Sequence, residues 1–269
     1  METVPTRTTK NKSVSIMKYI GSKARIAKDI LNAIFVDINM PTKDMIWIEP
    51  FVGGCNMMDK TQGLFKERIG NDNNIYIIAM FKALQNGWVP PAEITEEEYG
   101  RLQYSSIVSP IIGFAGVGCS YAGKWFGGYA RGNNKSGTPR NYCLESKKNL
   151  LRQHHHLEGV KFLHEDYRNL VILPNSIVYC DPPYENSTKY KNKFNHKEFW
   201  KWAKQTHNPG LNIYVYVSEY KAPSDWRCIW QKKINSSLTK DTGSKKGVEK
   251  LWAPQDSSTI IINNRKTGV

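Results

Sequence analysis

Seven short apolar runs punctuate the chain, and patterns of helical period separate most of them. The runs occupy 45–49, 68–71, 161–163, 176–180, 212–217, 228–232 and 259–262. Ile26, Ile30, Leu31 and Ile34 recur at helical spacing within 24–35, and similar patterns fill 57–66, 75–84, 147–157 and 197–206. Strands alternating with helices predict an α/β fold, a wound sheet whose sites lie beyond the carboxyl ends of its strands.

The alternation stops between residues 82 and 153. From Gly113 to Gln153 the chain is rich in glycine, aromatic rings and cations, with seven Lys/Arg against the single acid Glu145. This stretch reads as an inserted second domain, 82–153, within a domain made of 17–81 and 154–269. The polar, basic segment 1–16 reads as a flexible tail and carries no secretory signal. Charge extends the argument: 38 Lys and Arg against 24 Asp and Glu give a net charge of +14 and favour a polyanionic partner, nucleic acid ahead of an anionic membrane surface. No apolar run reaches the roughly 20 residues of a spanning helix. The five cysteines are widely spaced with no CxxC, which points to a reducing, intracellular setting without a disulfide framework or structural zinc.

Two constellations carry chemistry. Asp181-Pro182-Pro183-Tyr184 follows the apolar run Ser176 to Cys180. The prolines end the ladder and turn backbone carbonyls outward. A carboxylate beside such a carbonyl gives paired acceptors, and Tyr184 adds a stacking face; together they suit a planar base bearing an amino group. The second constellation, Glu49-Pro50-Phe51-Val52-Gly53-Gly54, follows the first run, where a glycine turn lets a ligand approach backbone N–H groups. Asp72 lies 19 residues beyond Gly53, the spacing at which an acid reaches ribose hydroxyls. The third glycine of a dinucleotide fingerprint is missing, so a nucleoside without a pyrophosphate fits better.

Other signals are weaker. Gly118 to Lys124 has phosphate-loop spacing, but Trp125 follows instead of the Ser/Thr that would hold magnesium. Gly116, Gly118 and Gly123 read instead as parts of a tight aromatic hairpin. Its rings (Phe114, Tyr121, Trp125, Phe126, Tyr129) suit either a packed mini-core or a wedge between base pairs. His154, His155 and His156 are consecutive and suit solvent or DNA better than a metal. Cys180 belongs to a buried strand. The lysines at 189, 191 and 193 suit phosphate contact, and for those at 240, 245 and 246 a solvated surface fits as well.

In order and chemistry these motifs resemble the Dam-like DNA adenine methyltransferases, over about residues 17–262. Lys18 to Lys23 (KYIGSK) resembles that family's methionine-pocket motif, Glu49 to Gly53 its acid-Pro-Phe-Val-Gly motif, Asp72 its ribose acid, and Asp166 its adenine-reading acid. Asp181 to Tyr184 resembles the catalytic tetrapeptide. Thr188, Tyr190 and Phe194 resemble the loop over the target base, and Phe126 to Tyr129 resembles part of a DNA-contacting hairpin. Gly53-Gly54-Cys55 departs from the family, which often carries a second, separated glycine. The resemblance implies a Rossmann-like methyltransferase sheet of seven strands, the last antiparallel, with a small target-recognition insert. It implies S-adenosylmethionine as cofactor, held by Tyr19, Lys23, Glu49, Phe51, Gly53, Asp72 and Asp166, and double-stranded DNA as partner, met by Lys124, Tyr129, Arg131, Lys189 and Tyr190. Asp181, Pro182, Pro183 and Tyr184 would serve the transfer of a methyl group to the exocyclic amine of a flipped adenine, with no metal. The same chemistry on cytosine's amine or on RNA, and an inactive DNA-binding descendant, are the alternatives.

Overall fold

The computed structural model describes residues 16–184, 194–235 and 246–255. Its strands are β1 (Ile46–Glu49), β2 (Glu67–Asn71), β3 (Val160–Leu163), β4 (Ser176–Cys180), β5 (Ile213–Ser218), β6 (Trp226–Asn235) and β7 (Lys246–Pro254). They form one sheet in the order β3-β2-β1-β4-β5-β7-β6. The first five are parallel, and β7 runs antiparallel between β5 and β6, with Val217 opposite Trp252 and Cys228 opposite Trp252 on its other side. This is the wound α/β sheet that the alternation predicts, with the seven strands that the resemblance implies, and its order reverses between β1 and β4.

Every residue of β1 and β4 is buried, as expected of central parallel strands covered on both faces. The two-residue period then divides the core. Trp47, Ile177, Tyr179 and Tyr216 pack with α1 (Ala27–Ile38) and α2 (Ile75–Gln85), and the Trp47 and Tyr179 rings stack at 5.8 Å. Ile46, Ile48, Val178, Cys180, Val215 and Val217 face α6 (His196–Thr206) through Phe199 and Ala203. Cys180 is thus a core residue, as its apolar strand implies.

Between α2 and β3 the chain forms α3 (Glu96–Gln103), α4 (Pro110–Gly118) and α5 (Tyr142–His154). Thr95 and Glu98 close a capping box on α3, and Asn141 caps α5. Tyr99, Phe114, Val117, Cys143 and Leu150 continue the same apolar core that covers the sheet. Gly116 and Gly118 belong to α4, which corrects their placement in a hairpin. A Cβ at Gly116 would meet Trp125 at 2.5 Å, so the glycine admits that ring to the helix. At Gly113 a Cβ would come within 2.2 Å of the Tyr76 carbonyl oxygen on α2. We expect Gly113→Ala to destabilise the fold by about 1–3 kcal/mol through overpacking, despite alanine's better helix propensity. Urea unfolding checks this, and an unchanged midpoint would show that α4 can shift away from α2.

Other sequence expectations need correction. The stretch 57–66 forms only a 3₁₀ turn at Met58–Lys60. Gly63 takes φ +72°, and the buried Asp59 is held by Lys60 and by His156 Nδ1 at 2.8 Å, so tertiary bonds replace helical ones. The seventh strand is Lys246–Pro254; the run 259–262 lies outside the described residues, as does the tail up to residue 15. Ile16 is itself buried. No helix among the described residues is long and apolar enough to cross a membrane.

Candidate active site

The carboxyl ends of β1, β2, β4 and β5 carry the candidate side chains. Strand β4 stops at Cys180 because Pro182 and Pro183 have no N–H to continue the ladder. The Asp181 side chain is 23% exposed, and the Lys23 ammonium donates to its Oδ2 at 3.0 Å and lies 2.8 Å from its Oδ1. Lys23 is itself buried, so its ammonium must have anionic partners. Glu249 on β7 is the second, at 3.8 Å. Glu249 Oε2 also accepts the Tyr184 hydroxyl at 2.9 Å. The Lys23 ammonium lies 4.7 Å from the Tyr184 ring centre, and Tyr220 meets that ring edge-on.

These contacts set the local electrostatics. Burial pulls the Lys23 ammonium down, but Asp181 and Glu249 more than reverse it, so its pKa rises and the group stays charged. Burial raises the Asp181 carboxyl above its ordinary value; Lys23 opposes the shift and Glu249 adds to it. Glu49, at the end of β1, accepts the Trp47 indole N–H at 2.8 Å and is pushed up to about 8, chiefly by burial.

The glycine loop after β1 is tied down from several sides. Asp72 Oδ2 accepts the Gly53 N–H at 2.9 Å, and its Oδ1 accepts the Asn74 N–H at 2.8 Å. Burial nonetheless raises the Asp72 pKa, with both N–H bonds opposing. The buried Gln153 on α5 donates to the Gly54 and Cys55 carbonyls at 2.9 and 3.1 Å. The Tyr19 side chain lies on the loop so closely that a Cβ at Gly53 would meet its ring at 2.8 Å and one at Gly54 would meet its Cβ at 2.7 Å. Gly53 also takes φ +46°, which favours glycine. Asn56 donates to Ser22 Oγ at 2.6 Å, while its buried Oδ1 has no partner among the described residues. Beside the loop, Phe51 packs with Tyr167, Phe194 and Phe199 at 5.3–5.7 Å.

The site gathers Tyr19, Lys23, Glu49, Phe51, Gly53, Asp72 and Asp181 to Tyr184 from the sequence expectations. Asp166 stands one loop away, beyond β3, with its oxygens on Arg168 at 2.6 and 2.8 Å. That loop is clasped to the site by Asn71, which exchanges bonds of 2.9–3.0 Å with the Glu165 backbone. Lys124 is exposed, Arg131 pairs with Glu96 at the surface, and Tyr129 donates its hydroxyl to the Ile94 carbonyl at 2.7 Å while its ring packs on Tyr99. Tyr121 alone of the hairpin rings is mostly exposed. Thr188, Lys189, Tyr190, Lys191, Lys193, Lys240 and Lys245 lie outside the described residues. The segment around Gly123 joins the Tyr19 loop: Ile20 N–H donates to the Gly123 carbonyl at 3.2 Å, and a Cβ at Gly123 would meet the Lys18 carbonyl at 2.6 Å. Sequence reasoning missed Glu249, Gln153 and Asn56. No group of three or more His, Cys, Asp or Glu side chains suited to a metal occurs among the described residues.

The chemistry on offer is recognition of a nucleoside-like group by the glycine loop, the β2 acid and an aromatic shelf, beside a carboxylate flanked by a proline carbonyl and a tyrosine. The sheet order, with its reversal between β1 and β4, is that of a Rossmann-like fold. The chain belongs to the D12 class N6 adenine-specific DNA methyltransferases, whose profile matches residues 19–105 and 126–244. No curated relative matches the sequence. Among solved structures, it is similar to an rRNA methylase from Streptococcus thermophilus at 8% identity and a TM-score of 0.38, covering 88% of this chain and 99% of that one. It is also similar to a dimethyladenosine transferase from Plasmodium falciparum at 12% identity and a TM-score of 0.37, covering 93% of this chain and 66% of that one.

Proposed function

We propose that the protein methylates the exocyclic amino group of adenine in double-stranded DNA, with S-adenosylmethionine as the methyl donor. The observation that carries this reading is the end of β4, where Asp181 is followed by Pro182, whose carbonyl would be the second acceptor, and by the Tyr184 ring, in a chain of the D12 class. The cofactor supplies an electrophilic methyl group on a sulfonium centre. The residues present fit it: a glycine loop that no side chain could occupy, an acid at the end of β2, and a buried Asn56 amide with one end unmet. Asp72 would accept the ribose hydroxyls, Phe51 would pack on the adenine, and the Tyr19–Lys23 loop with Asn56 would meet the amino-acid end. We keep Asp166 as the adenine-reading acid, a role for which it must share its carboxylate with Arg168.

The target amine sits inside the duplex, so the base must leave the stack to reach Asp181. Asp181 and the Pro182 carbonyl then accept its two N–H groups, which draws the nitrogen lone pair out of conjugation and aims it at the methyl group. Tyr184 stacks on the base. The contribution is positioning plus stabilisation of positive charge developing on the amine, and Asp181 need not be a strong base because the proton can leave after transfer. Nucleoside analysis of duplex DNA, single-stranded DNA and RNA after incubation with labelled cofactor tests the reading. N6-methyladenine in duplex DNA is the expected product, and label only in cytosine or only in RNA would replace it.

We assign target reading to 82–153, which begins inside α2 and shares the sheet's core. Lys124 and Arg131 are its exposed cations nearest the aromatic segment 125–129. Arg131 can exchange Glu96 for phosphate at little cost, because an exposed ion pair contributes only about 0–1 kcal/mol. Lys124→Ala and Arg131→Ala should each weaken duplex binding and lower the slope of log K against log salt by about 0.9 for a phosphate contact. A base-edge contact would instead relax sequence preference. Unchanged affinity, slope and preference in both variants would assign these residues to the surface alone.

A further inference from the structure

Lys23 covers both oxygens of the carboxylate that must receive the target amine. A cation so placed holds Asp181 still, but it also weakens those oxygens as acceptors. The structure supplies a counterweight that the proposed mechanism does not use. Glu249 lies on the inward face of β7, in line with the buried Leu251 and Ala253, where an apolar side chain would be expected. It stands 3.8 Å from the Lys23 ammonium and takes the Tyr184 hydroxyl at 2.9 Å. We propose that Glu249 is a positioning residue for methyl transfer, sharing Lys23 with Asp181 so that an Asp181 oxygen opens to the target amine, and fixing Tyr184 as the platform for the base. This role rests on the adenine-methylating reading given above.

The charge balance supports it. Asp181, Glu249 and Lys23 sum to one excess negative charge, the sign that favours positive charge arriving on the amine. The groups facing this cluster are Lys23 from the loop before α1, Asp181 and Tyr184 after β4, Glu219 and Tyr220 after β5, Tyr179 within β4, and Glu49 at the end of β1. Glu49, raised to about 8 by burial, is mostly neutral near pH 7 and leaves the excess in place. When the amine approaches, Lys23 needs only to lean from one carboxylate towards the other.

The two functions of Glu249 separate by substitution. Glu249→Gln keeps an acceptor for Tyr184 but removes the charge that holds Lys23. Tyr184→Phe keeps the ring and removes the hydroxyl, with its bonds to Glu249 and to Asp181. Single-turnover methyl transfer is measured across pH with saturating cofactor and DNA, beside S-adenosylhomocysteine affinity and the thermal midpoint. Glu249→Gln should slow transfer by about tenfold, and its acid limb should move to lower pH because Glu249 no longer raises Asp181. Its cofactor affinity and midpoint should stay near wild type. Tyr184→Phe should lose rate with the limb moved the other way, to higher pH, because the Tyr184 hydroxyl lowers the Asp181 pKa. A Glu249→Gln rate within twofold of wild type, or a slower rate with an unmoved limb, overturns the inference while leaving the adenine reading intact. A wild-type enzyme that binds S-adenosylhomocysteine yet labels no adenine overturns the reading and the inference together.

Discussion

With cofactor and duplex DNA both saturating, Asp181→Ala should cut the single-turnover rate of methyl transfer by about 10²- to 10³-fold, the cost of removing one preorganised polar group from a transition state. The amine would keep one acceptor, the Pro182 carbonyl, and its lone pair would stay largely conjugated with the ring. Cofactor affinity should survive, because the glycine loop and Asp72 belong to β1 and β2. DNA affinity should survive as well if the cations of 82–153 supply most phosphate contacts. The expected phenotype is a bound but unproductive complex. The wild-type profile gives an independent check. Asp181 must be ionised to accept the amine, and burial raises its pKa, so activity should fall on acidification at a pH above the ordinary carboxylate range. A mutant rate within about tenfold of wild type means less than roughly 1.4 kcal/mol of lost transition-state stabilisation and would falsify the role of Asp181.

Why Asp181 could be read from the sequence, and Glu249 could not, follows from how each is encoded. The β4 run Ser176 to Cys180 is apolar throughout, and two prolines mark its end, so strand, terminus and functional group are contiguous. The glycine loop and Asp72 are likewise local to β1 and β2. Strand β7 carries Lys246, Glu249 and Lys250 among its nine residues, and neither its apolar content nor its period announces a strand. Glu249 becomes conspicuous only once Leu251 and Ala253 are seen to share its inward face. The Lys23–Asp181 pair spans 158 residues, and no spacing rule reaches that far. Helices fail for opposite reasons. In α3 only Tyr99 is buried, so no apolar stripe forms, whereas α4 is buried nearly all round and has no polar face to set a period. Of the glycines that suggested a hairpin, Gly116 admits Trp125 to α4 and Gly123 admits the Lys18 backbone.

The remaining large effect is expected at Asp72, where the structure deepens what the sequence suggested. Besides facing the proposed ribose position, its carboxylate accepts the Gly53 and Asn74 N–H groups, so it shapes the loop that would receive the cofactor. Each oxygen keeps a second lone pair for a ribose hydroxyl. Asp72→Ala therefore removes two ligand acceptors and the tie that sets the Gly53 turn. At about 1.5–3 kcal/mol for each hydrogen bond to a charged group, S-adenosylmethionine affinity should fall by at least about a hundredfold. Asp72→Asn retains an oxygen that can hold one N–H but loses the charge and turns the other acceptor into a donor, so its loss should be intermediate. Calorimetry with S-adenosylhomocysteine reads both variants without turnover, and adenosine as a second ligand separates the causes. A missing ribose contact should weaken both ligands by a similar factor, whereas a collapsed glycine loop should weaken S-adenosylhomocysteine more, because only that ligand carries an amino-acid end towards Tyr19, Lys23 and Asn56. Unchanged affinity for both would remove Asp72 from the cofactor site and leave it the structural role its two backbone bonds already describe.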